Sequence, residues 1–311
     1  MTCNNKEREI ASFAVGKKYT GRYPEAPAAP WLDSLPSWRT CLSSNTWKRW
    51  DGTVATAQEH MYWMREQAKA LFDDQNDEFR PYGKHRGCTY YIHDGLTQAG
   101  DGYGCFKIHG PVLANVQPRD VLRLCFDMPQ IIELDPTCVF YKLMKAYPLT
   151  LGDKTSYVHP VYWCNDPGFP FYYRNGIDLT GFMPDTDDEV KDDDNEKYVG
   201  NKGDASDSSV IWQLGVGVTL DDWVTPPGTV KATDRYWAYR LSPTPDGTGT
   251  QVSILCQCCL NGWIPKILSN YFVCQVLIDS LARMERQVHK WKIDEEAKQQ
   301  HEIRLQQLQL M

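Results

Sequence analysis

The sequence predicts an α+β fold in which a set of strands is closed by one long C-terminal helix. Three observations carry this. Val252, Ile254, Cys256, Cys258 and Leu260 alternate with their neighbours, the period-two pattern of a strand with one buried face. After the turn Asn261-Gly262-Trp263 the period changes: Gln275, Asp279, Arg283, Arg286 and Lys290 step by three or four along one polar stripe. Val273, Leu277, Leu281, Met284 and Val288 form the opposite stripe, and Phe272, Cys274, Val276 and Ile278 widen it beyond what a surface helix needs. The third observation is the order of elements along the chain: helix, strands, short helix, strands, long helix.

Residues 1–50 read as an N-terminal extension. Tyr23 to Trp31 holds three prolines, which remove backbone donors and bias their neighbours to extended forms. Trp31, Trp38, Trp47 and Trp50 are too apolar for a free linker and are expected to pack on the domain surface or to contact a membrane or partner. Thr56 to Phe72 is expected to be the first helix, with Met61, Met64, Ala68 and Leu71 at helical spacing. Gly87–His93 and Gly104–Val112 read as strands joined near Gly100-Asp101-Gly102. Pro118–Phe126 reads as a short helix, with Pro118 at its start and Asp120 in its first turn.

Val139–Ala146 and Ser156–Trp163 are further strands. Residues 184–208 form an acidic insertion, solvated by self-repulsion; the run lacks the Asp-x-Asp-x-Asp-Gly turn of an EF-hand calcium loop. Ser209–Val218 resumes as a strand. Asp221–Gly228 is a proline-containing loop, Thr229–Leu241 a strand pair or a bent strand, and Asp246-Gly247-Thr248-Gly249 a tight turn. Pro265 sits where a helix tolerates proline. Beyond Trp291, residues 293–311 read as a polar helical tail.

Composition narrows the function. The 311 residues are 42% apolar and 12% aromatic, enough for a sizeable core. A net charge of −7 argues against nucleic acid as the main partner. No run of apolar residues is long enough for a membrane-spanning helix, and charges near the N-terminus argue against a signal peptide. The 11 scattered cysteines read as reduced thiols of an intracellular protein, acting as small hydrophobes. No metal signature, nucleophile elbow or phosphate-binding glycine loop is present, so no cofactor and no metal are expected. Cys256, Cys258 and Cys259 are core thiols on this reading, because alternation points Cys259 away from the other two.

Thr250-Gln-Val-Ser-Ile-Leu and Leu260-Asn-Gly-Trp-Ile-Pro-Lys-Ile-Leu-Ser-Asn-Tyr271 resemble the end of a START domain, the StAR-related lipid-transfer family. Met128 to Thr137 resembles a family segment ending in Trp-Asp, with Leu134 in place of the tryptophan. Pro167 to Asn175 resembles the family's turn ending in Arg-Asp, with Asn175 in place of the acid, so that Arg174-Asn175 is no ion pair. The resemblance covers roughly residues 56–291 and implies a START-like domain over residues 51–292 with a helix-grip fold: a curved antiparallel sheet wrapped around the C-terminal helix, with a lipid-sized tunnel between them.

The function so implied is intracellular lipid transfer or sensing, with one phospholipid, sterol or related molecule enclosed, in a cytoplasmic protein that makes transient, peripheral contact with membranes. The residues expected at the ligand are Tyr162, Arg174, Asn175, Trp212, Trp223, Tyr236, Tyr239, Tyr271, Val273, Leu277 and Leu281. Trp223 is expected to close over Tyr271, Val273 or Leu277. No catalytic residue is expected. Two other readings remain: a protein-interaction module whose cavity is filled, and a cyclase-type enzyme on the same fold.

Overall fold

The computed structural model describes residues 34–73, 78–93, 103–126, 134–135, 137–151, 154–168, 171–185, 210–225 and 228–309. The turn at 100–102, most of the segment 128–137 and the acidic run from 186 onward lie outside the described residues. The chain opens with α1 (Pro36–Ser44), β1 (Thr46–Arg49), β2 (Val54–Thr56) and α2 (Ala57–Phe72). Next come β3 (Arg80–His85), β4 (Cys88–His93), β5 (Cys105–Ala114) and α3 (Pro118–Phe126). Then follow β6 (Cys138–Leu143), β7 (Tyr147–Leu151), β8 (Lys154–Asn165), β9 (Tyr173–Pro184) and β10 (Ile211–Thr219). The chain ends through β11 (Thr229–Lys231), β12 (Thr233–Pro243), β13 (Gly249–Cys259) and α4 (Lys266–Gln309).

One sheet holds the molecule together, in the order β3-β4-β5-β13-β12-β10-β9-β8-β6, with β7 also on β8. Its neighbours along this path are antiparallel, whereas the short β11 lies parallel to β9. The strand expected from Val139 to Ala146 ends at Leu143, and a second strand, β7, follows from Tyr147. β6 pairs with the far end of β8 at Leu143↔Val161, and β7 pairs with its near end at Tyr147↔Val158. Between them Lys145 and Ala146 are exposed.

Alternation sends successive side chains to opposite faces, and the two apolar clusters divide accordingly. Cys105, Leu255 and Ala238 belong to one cluster; their neighbours Phe106, Ile254 and Tyr239 belong to the other. The first face is covered by α2, whose Met61, Met64, Ala68, Leu71 and Phe72 are buried. That helix starts on a capping box: Thr56 Oγ1 accepts from Glu59 N at 3.2 Å and Glu59 Oε2 accepts from Thr56 N at 2.8 Å. Trp38 of α1 and Trp47 of β1 are fully buried on the same side, edge to face at 5.7 Å. β1 pairs with β10 at Lys48↔Thr219, so the stretch from Pro36 on is built into the sheet.

The second face is covered by α3 and by α4, which buries Cys274, Ile278, Leu281, Met284 and Val288 among Ile108, Val252 and Ile254. α4 runs unbroken to Gln309, past the end of its apolar stripe. At about 1.5 Å per residue its 44 residues span roughly 65 Å. The turn that aims it uses left-handed backbone at Asn261 (φ 52°) and Gly262 (φ 72°). Only asparagine and glycine visit that region routinely.

Candidate functional site

A cavity of about 140 Å³ lies between the second face of the sheet and the first turns of α4. Phe272, Val273, Val276 and Leu277 of α4 form one wall. Trp163 on β8, Trp237 on β12, and Cys256 and Cys258 on β13 form much of the other. The two tryptophans owe their positions to glycines. Trp163 is paired in register with Gly176, and Trp237 with Gly215. A Cβ on Gly176 would come within 2.6 Å of the Trp163 ring, and one on Gly215 within 2.5 Å of the Trp237 ring. Each indole therefore lies across its neighbouring strand, where any side chain would displace it.

The polar groups of the cavity fall into two sets. At one end Arg174 is 1% exposed and holds backbone rather than a carboxylate. Its Nε donates to Leu260 O at 2.6 Å, Nη1 to Tyr172 O at 2.6 Å, and Nη2 to Asn261 O at 3.3 Å. Burial pushes its pKa below the ordinary arginine value. Two of these carbonyls belong to the turn before α4, so the guanidinium ties the base of the helix to β9.

The other set is a pair of acids. Asp178 on β9 and Asp234 on β12 are within hydrogen-bonding reach of each other although β10 runs between their strands. Gly217 of β10 lies opposite Asp178 in register, and a Cβ there would meet Asp234 O at 2.5 Å. The missing side chain at Gly217 leaves room for the two carboxyls to meet. Trp163 Nε1 donates to Asp178 Oδ2 at 2.8 Å, and the Cys258 thiol bonds Asp234. Asp178 Oδ1 is buried with no donor among the described residues. Burial, then the neighbouring carboxylate, pushes Asp178 well above the usual range. Burial likewise raises Asp234. Two carboxyls this close in an apolar setting disfavour the doubly charged form.

A third acid, Asp135, also lines the cavity; it accepts from Thr137 N at 2.7 Å and from Asn165 Nδ2 at 3.1 Å. Among the described residues no group of three His, Cys, Asp or Glu side chains is arranged to hold a metal.

Of the residues expected at the ligand, Arg174, Val273 and Leu277 line this cavity. Tyr239 and Leu281 pack in the same apolar cluster outside the lining, Tyr239 edge to face with Trp237 at 5.1 Å. Tyr162, Trp212 and Tyr236 lie in the cluster on the other face. Tyr162 stands beside Phe140 at 5.8 Å, Trp212 Nε1 donates to Asp185 Oδ1 at 2.7 Å, and Tyr236 stacks on Trp63 at 5.8 Å. Asn175, next to Arg174, points to that face as alternation requires. Its Nδ2 donates to Thr229 Oγ1 at 3.2 Å and to Tyr162 Oη at 3.3 Å.

Trp223 also packs against the first cluster, with Lys231 Nζ 5.0 Å from its ring centroid, and not over Tyr271, Val273 or Leu277. Tyr271 is exposed. The expectation missed Trp163, Trp237, Asp178 and Asp234. Trp163 carried one local signal, its place in the apolar run of β8. The acids carried none, since their partnership depends on a glycine in a third strand.

No family model and no curated protein sequence matches the chain. Solved structures do. Human StAR-related lipid transfer protein 5 aligns over 76% of this chain and 98% of its own, at 11% identity and a TM-score of 0.55. Human STARD10 aligns over 73% of this chain and 81% of its own, at 12% identity and a TM-score of 0.50. With the antiparallel sheet, the closing helix and the cavity between them, this chain has the α+β helix-grip fold of START domains.

Proposed function

We propose that the chain binds a lipid between the sheet and α4 and transfers or senses it, without chemical turnover. The observation that supports this most is the cavity under α4, with apolar walls at Trp163, Trp237, Phe272, Val273, Val276 and Leu277 and polar side chains at Asp135, Thr137, Asn165, Arg174 and Asp234. Apolar walls with sparse polar anchors are what a lipid site needs. The two solved structures similar in fold include one named as a lipid transfer protein.

At about 140 Å³ the cavity is smaller than the roughly 300–1,000 Å³ of ligand sites. Loading therefore requires α4 to move away from the sheet. Parting the strands would break backbone ladders and leave several polar groups unpaired. The first turns of α4 suit such a movement. Trp263, Ile267, Leu268 and Tyr271 are exposed there, Ile267 at 82%. Trp263 reaches the cavity wall through Phe171, at 5.1 Å from it and 5.8 Å from Phe272. Exposed apolar side chains at the mouth of an apolar cavity fit transient docking on a membrane surface. No helix among the described residues is long and apolar enough to cross a membrane, and cytoplasmic action at membrane surfaces accords with this reading.

Each methylene withdrawn from a bilayer loses about 0.8 kcal/mol of burial that the protein must replace. The test is native mass spectrometry after incubation with vesicles made from a total cell lipid extract. A defined added mass is expected. Absence of any adduct across several extracts would favour a filled-cavity interaction module, and steady conversion of the bound molecule would favour an enzyme.

A further inference from the structure

We propose that the cavity seats a phenol ring, so that the lipid held under α4 is one that ends in a phenol. This rests on the lipid-binding reading and names the ligand class within it. At about 140 Å³ the cavity is close to the roughly 150 Å³ at which an apolar protein cavity takes up benzene. One six-membered ring therefore fits with α4 where it is, and only an attached chain needs the helix to yield. The walls suit a ring. The sheet contributes two indoles, Trp163 and Trp237, and α4 contributes Phe272 from the other side. Both indoles are fixed: Trp163 Nε1 donates to Asp178 Oδ2 at 2.8 Å, and Trp237 meets Tyr239 edge to face at 5.1 Å. Gly176 and Gly215 give them room, at positions where strands usually carry a β-branched side chain. Rigid rings on two sides favour a flat aromatic guest over a flexible chain, which would lose conformational freedom there.

The polar lining decides which ring. Its donors are largely engaged: Arg174 donates to three main-chain carbonyls, and Thr137 and Asn165 donate to Asp135. Acceptance is what remains. Asp135 Oδ1 accepts from Thr137 N and from Thr137 Oγ1, both at 2.7 Å, and Oδ2 accepts from Asn165 Nδ2 at 3.1 Å. A carboxylate offers about four acceptor positions, so one on Oδ2 stays open. No ion pair among the described residues includes Asp135. Alternation places Asn165 on the same face of β8 as Trp163, which brings this carboxylate to the end of the aromatic wall. The guest must therefore be a donor. A cation is opposed by the guanidinium of Arg174 in the same lining, and an anion by Asp135 itself. A neutral hydroxyl on an aromatic ring meets both conditions, and a phenolic O–H donates to a carboxylate more strongly than an aliphatic one.

The experiment offers wild-type protein an equimolar mixture of 4-dodecylphenol, its methyl ether and 4-dodecylcyclohexanol, and reads the bound species by native mass spectrometry. The ether keeps the ring and loses the donor; the cyclohexanol keeps a hydroxyl and loses the flat ring. The phenol is expected to exceed each about tenfold, the size of one hydrogen bond to a charged group. Calorimetric titration with phenol itself is expected to show binding without any chain. Val276→Phe fills the cavity and is expected to abolish that binding. Asp135→Asn is expected to bring the dodecylphenol down to the level of its ether and to leave uptake of the ether unchanged. Equal uptake of all three long-chain probes by wild type overturns the phenol seat and leaves the lipid-binding reading standing. Binding of phenol with no long-chain probe retained overturns the lipid-binding reading and leaves the seat. Binding of neither overturns both. Undiminished phenol binding by folded Val276→Phe places the ring elsewhere and overturns the proposal. A phenol preference kept by folded Asp135→Asn overturns the role of that carboxylate; if that variant does not fold, the comparison of phenol with ether in wild type decides.

Discussion

Trp47 and Trp237 are large rings laid against opposite faces of one sheet, and their surroundings differ. Trp47 has no exposed surface, meets Trp38 at 5.7 Å and Tyr147 at 6.2 Å, and lies beneath helices fixed by local sequence. His60 Nε2 is 2.9 Å from Trp47 O, which joins α2 to β1. Trp237 faces a cavity that holds acids, thiols and the side of a helix with exposed apolar residues at its start. The first face is packed and capped as a permanent core. The second is sealed by a helix that buries Ile278, Leu281, Met284 and Val288 further along and whose start is held by polar ties: Arg174 to the turn before it, Gly104 N to Asn270 Oδ1 at 3.0 Å, and Arg86 to Asp279. The tie of the exposed Arg86 exchanges readily with water, and the buried Arg174 bonds and the methionines and tryptophans locked in a core do not. A sheet with one fixed and one releasable cover can change shape on one side while the other maintains the fold.

The strongest way to break this comparison is Trp47→Ala. On a fixed face it is expected to cost about 3–5 kcal/mol, read as a lower denaturation midpoint, with lipid uptake per folded molecule unchanged. Loss of uptake at full folding would join the two faces functionally. Leu277→Trp acts on the other face. Filling the cavity is expected to cost about 1–3 kcal/mol from overpacking and to abolish uptake in a vesicle assay. Normal stoichiometric uptake would place the ligand elsewhere. Thr56→Ala removes the capping hydroxyl of α2 and is expected to cost about 1 kcal/mol, with uptake kinetics unchanged; faster uptake would show that the first cover also moves.

The smallest effect is one of pH. Asp178 is raised above its ordinary 3.8 by burial and by Asp234. Below that value both folded and unfolded chains hold the proton, and the group contributes no pH dependence. As pH rises above it, the unfolded chain releases a proton that the folded chain retains, so stability falls. From about pH 4 upward, wild type is therefore expected to lose melting temperature relative to Asp178→Asn. A constant difference across that range would show that Asp178 is not raised in the folded chain.

The sequence was most legible where a pattern is local. The alternation from Val252 to Leu260 and the turn at Asn261-Gly262 appear as read, because each depends on neighbours in the chain and on left-handed residues that only a few types supply. Thr56–Phe72 was legible for the same reason, with its apolar spacing and a cap. The candidate site was less so. Tyr236 and Tyr239 were placed together, but they stand three residues apart on β12, so alternation alone sends the two rings to opposite faces. Lys48 carries no sign of its partner Thr219 in β10, far along the chain. The meeting of Asp178 with Asp234 depends on what Gly217 lacks, which no pattern of polarity records.

The order in which the chain is made gives α4 a further importance. All thirteen strands among the described residues precede it, so Phe106, Ile108 and Ile254 can be assembled into a finished sheet before the helix that covers them has been synthesised. At about 5–20 residues per second, the segment from the end of β13 to Val288 takes roughly 1.5 to 6 seconds to appear. For that interval the nascent protein presents an open apolar trough to the cell. A lipid or chaperone that occupied it would meet no helix to displace, and the first cargo could be taken on during translation.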